Sequence, residues 1–137
     1  MRDIVFRGKI RNGEWIEGDL LHYESGEMAI LERFSKYGYE ATEICKRTKV
    51  IPETVGQCVG LNDKNGKKIF EGDIVKDRGL LYGRVIYATP QDGYSGMSGF
   101  MVDDVNDGLQ DYNGFWHMVE VIGNIHDNPE LLEGGAE

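Results

Sequence analysis

The stretch Val55–Val75 reads V-G-Q-C-V-G-L-N-D-K-N-G-K-K-I-F-E-G-D-I-V and places Asn65-Gly66 between two apolar runs. Asn and Gly are the residues that most readily take the positive φ angles of a tight hairpin turn, so this segment predicts a β-hairpin. Gly72-Asp73 then interrupts the second run, where a residue without Cβ permits a bulge or a second tight turn before Ile74-Val75 resumes. A shorter echo opens the chain: Asn12-Gly13-Glu14-Trp15-Ile16-Glu17-Gly18-Asp19-Leu20 against Asn65–Ile74, with one residue inserted. Two turns of one design fit a small curled barrel.

Glycine supports the same fold class. The 137 residues include 19 glycines but three prolines, with 40% hydrophobic and 10% aromatic residues, a globular composition suited to short strands joined by turns. The length suits one domain burying roughly two-thirds of its unfolded surface. No apolar run reaches the roughly 18 to 20 residues of a membrane span, and the N-terminus lacks the basic-then-apolar plan of a signal peptide. A cytoplasmic protein is expected. Cys45 and Cys58, thirteen positions apart, match neither a redox pair nor a zinc knuckle and are expected to be buried free thiols.

The remaining elements follow in order. Asp3–Arg11 and Glu14–Leu21 form a hairpin with Trp15 anchored in the core. Met28–Arg33 and Thr48–Ile51 are strands, the second running into Pro52. Gly83–Thr89, rich in β-branched and aromatic residues, is a central strand. Pro90–Gly99 is a long loop, and Phe100–Val102 a brief strand. Phe115–Ile122 alternates with apolar groups on both phases, which predicts a strand buried on two sides or against a second chain. Asn128-Pro129-Glu130 has the grammar of a helix start, followed by one short turn at Leu131-Leu132. Phe115, Trp116, Met118, Leu131 and Leu132 are therefore the candidate oligomer interface.

Beyond the turns, Val55-Gly56-Gln57, Gly60-Leu61, Asp63-Lys64-Asn65-Gly66-Lys67 and Glu71-Gly72-Asp73-Ile74-Val75 form a recognisable series. Val121-Ile122-Gly123-Asn124-Ile125 and Asn128-Pro129-Glu130-Leu131-Leu132 continue it, and Phe6-Arg7-Gly8-Lys9 with Asn12-Gly13-Glu14-Trp15 fit it too. The set resembles the YopX family of phage and prophage proteins, with no matching motif between Leu21 and Pro52 or between Asp77 and Glu120. The resemblance implies a phage origin, a β-rich fold and self-association, and it carries no catalytic residue. The expected architecture is mainly β: a small SH3-like barrel with additional strands and hairpins and a short C-terminal helical turn. It forms a single YopX-like domain over 1–137, with an N-terminal hairpin region over 1–54, a barrel core over 55–133 and a frayed tail over 134–137.

Charge divides along the chain. The net charge is −9; residues 1–89 hold all 15 Lys and Arg against 14 acidic residues, whereas 90–137 hold 10 acidic residues and no Lys or Arg. An acidic surface repels phosphate backbones and attracts basic partners within a Debye length, roughly 8 to 10 Å. The run Asp103–Gly108 fails as a calcium loop, because Val105 and Gly114 stand where ligands are needed. An irregular cation or partner site on Asp103, Asp104, Asp107 and Asp111 is the alternative to a solvated turn.

Phe34, Lys36, Tyr37 and Tyr39 interleave rings with a cation as single-stranded nucleic-acid sites do, and the same composition suits an ordinary loop. No phosphate-binding glycine motif occurs. His117 and His126 lack a Ser, Cys or carboxylate partner for a triad. Neither a cofactor nor a catalytic set is expected. The leading expectation is a non-enzymatic accessory protein that assembles with itself and binds another macromolecule. Two alternatives stand beside it: an acidic nucleic-acid mimic blocking a basic host protein, and nucleic-acid binding through Arg2, Arg7, Lys9, Arg11, Lys46, Arg47 and Lys49.

Overall fold

The computed structural model describes residues 4–34, 44–78, 81–89, 91, 98–111 and 115–133, with Arg33, Phe34, Ile44, Cys45 and Leu81 described by backbone alone. The chain is mainly β and divides into two compact units, Met1–Cys58 and Val59–Glu137.

In the first unit, β1 (Phe6–Lys9), β2 (Trp15–His22), β3 (Met28–Phe34) and β4 (Ile44–Val50) form an antiparallel meander. The beginning of β5 (Gly56–Asn62) pairs with the other edge of β1, Phe6 opposite Gln57 and Arg7 opposite Gly56. After β4 the chain returns to β1 through a 3-10 turn at Pro52–Thr54. The Ile51 N–H donates to the Lys9 carbonyl at 2.8 Å, and the Lys9 N–H donates to Thr54 Oγ1 at 2.9 Å. Ala29, Ile30 and Val50 are buried.

Three hairpin loops share one geometry. The N–H of Ile10, Tyr23 and Asp63 donates to the carbonyl of Glu14, Glu27 and Lys67, and Gly13, Gly26 and Gly66 close each turn by donating back to that first residue. Each glycine has φ between 83° and 94°, whereas Asn12, Ser25 and Asn65 do not take positive φ. The expectation that both Asn65 and Gly66 turn left-handed is corrected: a three-residue loop ending in one left-handed glycine matches the strand twist equally well. The turns of the two echoing segments, 12–20 and 65–74, thus share one geometry, as does the loop at Gly26 outside the echo. The echo fails at Gly18-Asp19, which lies inside the unbroken strand β2.

The second unit contains β6 (Lys68–Phe70), β7 (Asp73–Asp77), β8 (Leu81–Ala88), β9 (Gly99–Asp104), β10 (Gly108–Gln110), β11 (Glu120–Asn124) and the single helical turn α1 (Glu130–Glu133). Five of the strands form an antiparallel sheet in the order β10-β9-β8-β7-β11, with β8 at its centre as expected. The pairing of β11 with β7 slips between Val121 and Gly123, a bulge that bends the strand. Gly72 makes the second tight turn, with φ +89°.

Val59, Ile69, Val75, Val85, Val102, Trp116 and Val119 form the core of this unit, with Phe100 and Val121 packed on it. Burial of each large apolar side chain contributes roughly 1.5 to 3 kcal/mol. Val85 and Val102 stand directly opposite each other, which is why the β-branched run at Gly83–Thr89 reads so clearly as a strand.

Three readings are corrected here. Phe115–Ile122 is not one strand: Trp116–Met118 is a 3-10 turn, and β11 begins at Glu120. Apolar residues on both phases of an alternation suit a strand and a tight turn alike, and burial of the Trp116 indole selects the turn. Trp15 is half-buried, not a core anchor. Lys9 stands opposite it across β1 and β2, so its face of the sheet carries cations. Cys58 is half-buried, not buried; the Cys45 side chain lies outside the described residues.

Candidate interaction surfaces

The acidic residues singled out in the sequence have different roles. Asp104 is 5% exposed. Its Oδ1 accepts the N–H groups of Asn106 at 2.7 Å and Asp107 at 3.0 Å, and its Oδ2 accepts that of Tyr82 at 3.1 Å. Burial pushes this carboxyl up, but the three backbone donors outweigh it and hold it below the usual range. Asp104 therefore shapes the β9–β10 turn. Asp103 lies 3.5 Å from Arg84 in a part-exposed pair, a contact of small energetic weight. Asp107 and Asp111 are exposed. Among the described residues no group of three or more His, Cys, Asp or Glu could hold a metal ion.

A second structural carboxylate, Asp63, was not singled out from the sequence. Its Oδ1 accepts the N–H of Asn65 and of Lys67, both at 2.9 Å, and its Oδ2 accepts the N–H of Val121 at 2.9 Å. The Lys64 N–H donates to the Val119 carbonyl, also at 2.9 Å. The Asp63 carboxyl is pushed up by burial and brought below its usual value by those donors. The signal for its local role was present, since an Asp two residues before Asn-Gly invites an Asx turn. Nothing in the sequence pointed to Val121.

The candidate interface residues separate in the same way. Trp116 is 3% exposed and belongs to the core, while its neighbours Phe115 and Met118 are 56% and 37% exposed. The turn is closed by the Met118 N–H donating to the Phe115 carbonyl at 3.0 Å and the Val119 N–H to that of Trp116 at 3.3 Å. Two apolar side chains thus stand at the surface on a support fixed by a buried indole. Leu131 and Leu132 are half-buried, and Leu131 packs beside Gly123, where an added Cβ would lie 3.0 Å from its Cδ1. Asn128 directs its Oδ1 to the Asn124 N–H at 3.2 Å. The side chain of Phe34, and all of Lys36, Tyr37 and Tyr39, lie outside the described residues.

Basic residues of the first unit fall into two groups, one at Trp15 and one on β4. Arg7 is 9% exposed, its guanidinium 4.6 Å from the Trp15 ring centroid, with Lys9 Nζ at 5.8 Å from the same ring; such stacking favours the cation. Lys46, Arg47 and Lys49 are exposed on β4. Arg2 lies outside the described residues.

A family model described as YopX protein matches residues 5–133. The chain belongs to the YopX family. No curated protein matches this YopX chain. Among solved structures it is similar to protein EF1440 from Enterococcus faecalis, at 25% identity and TM-score 0.54, over 96% of this chain and 99% of that one. Among the described residues of this YopX protein, no helix is long and apolar enough to cross a membrane.

Proposed function

We propose that this YopX-family protein is a non-enzymatic accessory protein of phage or prophage origin. It works in the cytoplasm of the host bacterium by assembling with copies of itself and binding another macromolecule. Its second unit is an SH3-like barrel with added hairpins. The barrel reading is supported by the bonds from Lys64 to Val119 and from Val121 to Asp63, which join the β5–β6 hairpin to the segment entering β11. The non-enzymatic reading is supported by the buried carboxylates Asp63, Asp73 and Asp104, each of which accepts backbone N–H groups.

One observation carries the assembly reading: Phe115 and Met118 are exposed on either side of the buried Trp116. Exposed apolar side chains beside a buried indole gain by leaving water when covered, which suits a docking surface. Light scattering at high micromolar concentration is expected to show an oligomer that Phe115→Ser with Met118→Ser dissociates. A strict monomer in the unaltered protein would overturn the assembly reading.

A second reading is favoured by the charge distribution, since Asp107 and Asp111 are exposed in a segment, 90–137, without Lys or Arg. An array of carboxylates can imitate phosphate charge and occupy a basic host protein. A pull-down from host lysate at low salt that retains no DNA- or RNA-binding protein removes this reading.

A further inference from the structure

Strand β4 is the outermost strand on its side of the first unit. Its inner edge pairs with β3 along its whole length, from Met28 opposite Val50 to Phe34 opposite Ile44. Its outer edge meets no strand among the described residues. Seven residues of edge extend about 23 Å and present alternate backbone donors and acceptors in a row, as strand addition requires.

The side chains along this edge select what can be added. Lys46, Arg47 and Lys49 are exposed, and Ile44–Val50 contains no acid. Arg47 and Lys49, two positions apart, share one face of the strand. Glu27 meets Lys49 at 3.0 Å, with more than half of each side chain in solvent, so an incoming carboxylate can replace it at small cost. Arg47 donates to the Tyr23 hydroxyl at a long 3.4 Å. Beyond Lys49 the strand opens onto a groove of about 260 Å³ between Arg11 and Lys49, lined also by Glu27, Met28, Val50, Ile51 and Pro52. Cations on an edge repel basic strands and other copies of the same edge. They admit an acidic one.

Resting on the binding-module reading above, we infer that the outer edge of β4 takes an added strand from a partner protein. That strand is an extended acidic segment with carboxylates two residues apart facing Arg47 and Lys49, and one apolar side chain that enters the groove. A peptide strand fits better than a nucleic acid, because the edge offers backbone acceptors that a phosphodiester, which has no N–H donors, cannot satisfy.

The test is fluorescence anisotropy of the full-length protein with a labelled peptide Thr-Glu-Val-Glu-Ile-Thr. Its comparators are the same peptide with Lys for Glu, the same peptide N-methylated at every residue, and a labelled oligothymidylate. The acidic peptide is expected to bind, and to weaken about tenfold or more with Arg47→Glu and Lys49→Glu together. The Lys and N-methyl peptides are expected to lose binding, the latter because its backbone cannot join the edge. Both substituted residues are exposed, and retained thermal unfolding of the variant confirms that it folds. The inference is overturned by no binding of the acidic peptide, by binding unchanged in the variant or in either modified peptide, by tighter binding of the oligothymidylate, or by loss of the oligomer in light scattering of the Arg47→Glu Lys49→Glu variant, which would make a second copy the occupant. Light scattering of the Phe115 and Met118 variants reads the assembly separately, so failure of one claim leaves the other measurable.

Discussion

The carboxylate of Asp63 accepts the backbone N–H of Val121 at 2.9 Å, across 58 positions of the chain. The same side chain closes the Asn65-Gly66 loop, so one buried acid fixes a turn and joins it to the start of β11.

Removing that acid orphans three backbone donors. Asp63→Ala is expected to cost the second unit about 3 kcal/mol, whereas Asp107→Ala, at an exposed position, should change stability by less than about 0.5 kcal/mol. Urea unfolding followed by Trp fluorescence compares the two. Equal midpoints would refute the tie.

Stability should also fall in acid. Asp63 and Asp104 both have folded pKa values below their unfolded ones, so the unfolded chain binds protons more readily. Their contribution is complete above the unfolded value, about pH 4, and is lost as pH drops through the lowered folded values. Thermal unfolding between about pH 6 and pH 2.5 should show this decline, and the Asp63→Ala Asp104→Ala variant should show a flatter one. An unaltered slope in the variant would place the acid sensitivity elsewhere.

Two glycines should differ in cost for different reasons. A Cβ on Gly83 would collide with the Asp103 carbonyl oxygen on the adjacent strand, whereas one on Gly13 meets nothing within 4 Å and is opposed only by a φ of +94°. Gly83→Ala is expected to cost about 3 kcal/mol or prevent folding, and Gly13→Ala about 1 kcal/mol. Melting curves in the reverse order would contradict the β8–β9 packing.

Neighbouring residues on the 3-10 turn should separate stability from assembly. Trp116→Ala is expected to cost about 3 to 5 kcal/mol, while Phe115→Ser should leave the melting temperature nearly unchanged and weaken self-association. A Phe115→Ser protein that unfolds early would assign that ring to the fold.

Much of this fold was legible because its turns are local. Gly13, Gly26 and Gly66 each close a loop with residues three or four positions away, and polar side chains beside them supply the donors or acceptors the loop needs. The Asn128-Pro129 helix start and the central strand at Gly83–Thr89 were legible for the same reason: local geometry and β-branching act within a few residues.

Residue chemistry over short spans thus determined where the chain turns, which segments extend, and how charge divides between its first two-thirds and its last. Tertiary structure alone decided that Trp116 enters the core while Trp15 lies half-buried beneath Arg7 and Lys9, and that Asp63 reaches Val121. It also decided that β4 ends a sheet with its outer edge unpaired among the described residues. Burial and long-range pairing depend on which distant segments arrive at a side chain, and a strand's own pattern of apolar and charged residues does not name its neighbour.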